Sequence, residues 1–141
     1  MLEVNIVRIR VVSSKDEIPE LSPNETMVHI TFGPSGVDLM MLMKTCPRLR
    51  AIQSPPSYVN TLSKATRLFL EMQGVEILSG DVWGHRKDID EYYTIDNDLI
   101  NEIKNSVTGG ESIDELVAKI TNRTKLSPDM IRYIARQKMV I

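Results

Sequence analysis

Along the first ninety residues, short apolar runs are separated by turn-forming residues. After that, apolar positions recur with a helical spacing only. The opening segment from Val4 to Val12 alternates branched apolar with polar residues and then turns wholly apolar, which predicts a strand. Ser13 to Thr26, punctuated by Pro19, Pro23 and Asn24, predicts turns, and Met27 to Phe32 a second strand ended by Gly33-Pro34. Ser35, with Asp38 three positions on, predicts a helix start, and Pro47 closes that helix. Leu49 to Gln53 reads as a strand running into Ser54-Pro55-Pro56-Ser57. Asn60 or Thr61 is then expected to cap a helix with Leu62, Ala65, Phe69 and Met72 on its buried face. Gly74 is expected to terminate it in the left-handed conformation before a strand over Val75 to Leu78.

Asp81 to Tyr93 is polar and aromatic and is expected to be a loop or arm. Three helices follow. Leu99, Ile100, Ile103 and Val107 share one face of the first, which Thr108-Gly109-Gly110 ends. The capping box Ser112-Ile113-Asp114-Glu115 opens the second, with Ile113, Leu116, Val117 and Ile120 apolar. Ser127-Pro128 restarts the chain as N-cap and first helical residue, with Met130, Ile131, Ile134 and Ala135 turned inward. The expected fold class is α/β: a small, mostly parallel sheet with flanking helices over residues 1–93. A C-terminal three-helix, helix-turn-helix-like segment follows over residues 94–141. Strand–helix alternation implies parallel pairing through right-handed crossovers.

Composition changes this picture little. The chain has 141 residues, 42 % hydrophobic and 26 % charged, which is ordinary globular usage. Its longest apolar run is far short of a membrane span, and its N-terminus lacks a signal-peptide pattern, so a cytoplasmic protein with no membrane partner is expected. The single cysteine, Cys46, excludes an internal disulfide and a cysteine-based zinc cage, and reads as a small buried hydrophobe.

Charge matters more. The net charge is −2, yet from Leu116 onward six basic residues face Asp129 alone, giving +5 on an acidic body. The stretch Ile120 to Ile134 resembles the helix-turn-helix family of DNA-binding regulators. Leu126, Ile131 and Ile134 take the apolar pinning positions and Leu-Ser-Pro the turn. Thr121 and Lys125 depart from the family's small residue and turn glycine. The resemblance implies duplex DNA as partner. Arg123, Lys125, Ser127, Arg132, Arg136 and Lys138 are the expected contacts, and a homodimer would read two half-sites about one turn apart.

Two further resemblances attach to the first part. Cys46-Pro47-Arg48-Leu49-Arg50-Ala51-Ile52-Gln53 followed by Gly74-Val75-Glu76-Ile77 is similar to the strand–helix–strand unit of the flavodoxin-like domain in D-2-hydroxyacid dehydrogenases. That implies a fold fragment only, because the dinucleotide-binding Gly-x-Gly-x-x-Gly loop has no counterpart here. Through Gly80 to Asp88, the chain resembles an uncharacterised family of archaeal proteins from methanogens, which implies no catalytic residues.

The expected function is therefore a DNA-binding transcription regulator whose α/β layer senses or dimerises, with no enzymatic activity, no cofactor and no metal. The alternative is a non-catalytic ligand-binding or protein-interaction module with no nucleic-acid role. Its surface would lie at the carboxyl ends of the strands, from Ser54, Ser57, Tyr58, Asp81, Trp83, His85 and Arg86. His85 among Asp81, Asp88, Asp90 and Glu91 reads as a solvated loop in preference to a metal site. His29 reads as a hydrogen-bonded sheet residue, and the methionines Met40, Met41 and Met43 as core.

Overall fold

The computed structural model describes residues 7–82 and 91–137. Five strands form one sheet: β1 (Val7–Val12), β2 (Met27–Ile30), β3 (Ala51–Ser54), β4 (Glu76–Ser79) and β5 (Tyr92–Ile95). Their order is β4-β3-β2-β1-β5, and the first four run parallel. β5 is antiparallel to β1, with Val7 opposite Ile95 and Arg10 opposite Tyr92.

Helices fill the crossovers. A 3₁₀ turn, Lys15–Glu20, lies between β1 and β2, and α1 (Gly36–Thr45) between β2 and β3. The single turn α2 (Pro56–Val59) and then α3 (Lys64–Met72) lie between β3 and β4. α4 (Asn97–Thr108), α5 (Ile113–Arg123) and α6 (Pro128–Arg136) follow the sheet. No helix among the described residues is long and apolar enough to cross a membrane.

Side chains alternate across the strands, so the sheet feeds two cores. Val12, Val28, Ile30 and Ile52 join Leu39 and Leu42 of α1 and Leu70 of α3 on one face. Ile9, Met27, Ala51, Leu78 and Ile95 join α4, α5 and α6 on the other. The result is three layers with the helical unit docked on the sheet.

Several expectations need correction. Tyr92 and Tyr93, expected in a loop or arm, belong to β5, so the boundary expected between residues 93 and 94 falls inside a strand. The segment pairs because β1 would otherwise be an open edge of the parallel sheet. The helix expected from Asn60 or Thr61 starts at Lys64, where Ser63 Oγ accepts from Thr66 N at 3.1 Å. Its buried residue is Leu70. Ala65, Phe69 and Met72 lie on the exposed side, because the helix rests on the sheet by the stripe around Leu70 and Thr66. Met40 and Met41, expected in the core, are exposed, and α1 is anchored by Leu39 and Leu42 instead.

Other local signals hold. Ser35 and Asp38 make both bonds of a capping box, at 3.1 and 2.9 Å. Gly74 ends α3 at φ +76°, where a side chain would be strained. Cys46 is buried and its thiol donates to the Ser22 carbonyl at 3.4 Å. Burial, reinforced by nearby Glu25, pushes that thiol up to about 11.

Candidate nucleic-acid interface

Each helix of the C-terminal unit begins on a side-chain cap. Asp96 Oδ1 accepts from Asp98 N at 3.0 Å, Ser112 Oγ from Glu115 N at 3.3 Å, and Ser127 Oγ from Met130 N at 3.2 Å. The break between α5 and α6 is short because Thr124 closes α5, and Leu126 is driven into the core one residue before the new cap. Leu126, Ile131 and Ile134 are all buried, as the helix-turn-helix resemblance requires.

The environment of α6 differs from that of a free recognition helix. Met130, Ile131, Tyr133, Ile134 and Ala135 are buried, so the helix is covered on two sides. The remaining stripe is Asp129, Arg132 and Arg136, spaced i, i+3 and i+7. The start of α6 is held to the end of β4: Ser79 N donates to Asp129 Oδ2 at 2.7 Å. A Cβ on Gly80 would stand 2.5 Å from Ser127 Oγ and 2.7 Å from Gln53 Oε1. Only glycine permits that approach. Tyr133 sits beneath, its hydroxyl shifted to higher pKa chiefly by burial and further by Glu76.

The basic residues do not gather into one cluster. Arg123, at the end of α5, pairs with Glu102 of α4 at 2.5 Å, while Arg132 pairs with Asp114 at the start of α5 at 2.8 Å. These positions are about 13 Å apart along α5. Arg136 pairs with Glu76 of β4 at 2.9 Å, and Lys119 with Glu111 at 3.5 Å. Lys125 is exposed in the turn, and Ser127 is half-buried at the cap. Lys138 lies outside the described residues. The +5 excess of the segment is therefore largely offset by carboxylates from α4, α5 and β4, which a count along the chain does not register.

The second expected surface is only partly assembled. Ser54 is buried and its hydroxyl donates to the Ile30 carbonyl at 3.0 Å, which commits it to the sheet. Ser57 is exposed and Tyr58 half-buried beside Gly33. The apolar cleft beside Ser54 and Tyr58 has about 10 Å³ of free space, room for one water. Trp83, His85, Arg86, Asp88 and Asp90 lie outside the described residues. Among the described residues no three His, Cys, Asp or Glu side chains gather as metal ligands.

A polar junction lies under the start of α6, where His29 is the hydrogen-bonded sheet residue expected and Gln53 is its partner, which was not foreseen. His29 is fully buried, and Gln53 Nε2 donates to its Nδ1 at 2.9 Å. The other ring nitrogen, Nε2, faces Asp81 Oδ1 at 3.6 Å. The available signal was the parallel register: His29 pairs with Gln53 across β2 and β3, so two polar residues meet at the end of an apolar face.

Residues 8–91 match the model of an N-terminal domain of a family of unknown function, and residues 98–136 match that family's C-terminal domain, described as helix-turn-helix. No curated protein and no solved structure matches the chain. A sheet layer and a helix-turn-helix unit, each matched in order over most of the sequence, place this chain in the family of unknown function DUF1699.

Proposed function

We propose that the protein is a non-enzymatic, homodimeric DNA-binding regulator whose helical unit contacts duplex phosphates while it stays docked on the sheet. The observation that carries this reading is the stripe of α6 left uncovered. It presents Arg132 and Arg136 to solvent, with side chains 43 % and 53 % exposed, within a unit described as helix-turn-helix.

Magnitudes favour contact without release. Exposed ion pairs such as Arg132–Asp114 and Arg136–Glu76 are worth about 0–1 kcal/mol each, so phosphates can displace the carboxylates. Drawing α6 off the sheet would expose apolar side chains worth about 1.5–3 kcal/mol each, including Met130 and Tyr133. It would also break the Ser79–Asp129 bond. Insertion of α6 into a major groove is therefore much the costlier route, and phosphate-directed contact follows.

The test is binding to random duplex DNA as salt rises from about 50 to 200 mM. Log affinity is expected to fall linearly with log salt, and Arg132→Ala with Arg136→Ala to lower the slope by about 2. No binding at low salt would overturn the reading. A protein-interaction module is the second reading, favoured by the carboxylate partners that now occupy the arginines.

A further inference from the structure

We propose that the outer face of α1 and α3, on the side of the sheet away from the helix-turn-helix unit, is the surface through which two copies of this chain dimerise. This deepens the homodimer part of the preceding reading and rests on it.

The two helices share the same face of one parallel sheet and run in the same direction, antiparallel to the strands. Their outer surface is apolar where a solvated face should be polar. Val37 and Met40 of α1 are 72 % and 58 % exposed, and Leu68 and Met72 of α3 are 57 % and 74 % exposed. Met41 and Phe69 extend the patch, and an open groove runs between the helices past Met43, Lys44 and Gln73. Six large apolar side chains, each at least 36 % exposed, stand on these two helices, and exposed apolar surface gathered in this way marks an interaction site. Methionine suits such a surface because its unbranched side chain adapts to a facing ridge.

The charges on the two helices point to a second copy as the occupant. α1 carries Asp38 in its first turn and Lys44 in its last, whereas α3 begins with Lys64 and has Glu71 near its end. A two-fold contact must be complementary to itself. If the axis runs along the helices, α1 lies parallel to the partner's α3, and Asp38 approaches the partner's Lys64 while Lys44 approaches the partner's Glu71. If the axis crosses the helices, α1 lies antiparallel to its own copy, and Asp38 approaches the partner's Lys44. Both two-fold arrangements bring opposite charges together.

The consequence for DNA is a wider spacing than one turn. The two helix-turn-helix units would stand about five layers apart, on the order of 50 Å at ~10 Å per layer, against ~34 Å for one turn of DNA.

The experiment is sedimentation equilibrium of the full chain without DNA, from about 1 to 100 μM, alongside the Met40→Glu, Met72→Glu double variant. Both positions are exposed, so the variant is expected to keep the wild-type circular dichroism and melting cooperativity. The wild type is expected to be dimeric at 10 μM, and the variant's dimer dissociation constant to rise at least 100-fold. A monomeric wild type, or a dimer indifferent to both substitutions, overturns the proposal. Because no DNA is present, either outcome leaves the phosphate-contact reading to its own test.

Discussion

On one face of the sheet, α6 is covered both by its neighbouring helices and by the strands. On the other face, α1 and α3 bury a single stripe each and leave methionines, Leu68 and Phe69 in solvent. Both faces are helices on one pleated surface, so the difference lies in how much of each helix the fold uses. α6 leaves Arg132 and Arg136 as its solvent-facing charges, each held by a single carboxylate, while Asp129 is tied to Ser79 of β4. α1 and α3 keep an apolar ridge free. The first suits a polyanion that can exchange for weak carboxylate partners; the second suits a protein surface.

The same substitution should have very different consequences on the two faces. Met130→Ala in α6 removes a side chain with no exposure and is expected to cost about 2–5 kcal/mol in urea unfolding. Met72→Ala in α3 is expected to stay within about 0.5 kcal/mol in the monomer, because that side chain is 74 % exposed. Equal costs would refute the asymmetry.

Next comes the contact between the sheet and the start of α6. Gly80→Ala is expected to cost about 1–3 kcal/mol through overpacking against Ser127 and Gln53. Adding Ser127→Gly removes the obstructing Cβ and Oγ while keeping an acceptable cap, so the pair should be less destabilising than the sum of the singles. Strict additivity in a double-mutant cycle would mean that the two residues do not press on one another.

On the opposite face, alkaline pH probes Cys46. Its folded pKa, near 11, lies above the ordinary 9, so the neutral thiol is the form the fold favours. Stability from this group is complete below pH 9 and is lost as pH rises through 11, by about 3 kcal/mol. Tyr133, also shifted upward by burial, adds loss above pH 10. Cys46→Ala should flatten the fall in melting temperature between pH 9 and 11; an unchanged profile would exclude the thiol as its source.

Small stability effects are expected from the arginine stripe. Arg132→Ala and Arg136→Ala should each cost no more than about 1 kcal/mol of folding stability. A larger loss would mean that these arginines serve the fold instead of standing free for a phosphate.

Local rules made much of this fold legible. The serine caps at 35, 112 and 127, the left-handed Gly74 and the burial of Leu126, Ile131 and Ile134 all follow from short-range chemistry and periodicity. What escaped depends on partners distant in sequence. β5 is a four-residue strand whose reason to exist is the free edge of β1, far upstream. The apolar spacing of Ala65, Phe69 and Met72 suggested a buried face, but an amphipathic stripe does not say which surface it meets, and here it faces outward. The candidate site was legible as a basic segment. The offsetting Glu76, Glu102 and Asp114 were not, because they come from three different elements that only the tertiary fold assembles.

On the proposed reading, α6 meets duplex DNA without leaving the sheet. Amide hydrogen exchange of the full chain, measured free and with saturating short duplex DNA at low salt, tests this directly. Amides from Met130 to Ala135 are expected to exchange only through global unfolding in the free protein, and to be equally or better protected with DNA bound. Faster exchange across α6 on adding DNA would show that the helix is released to bind, contradicting the docked interface.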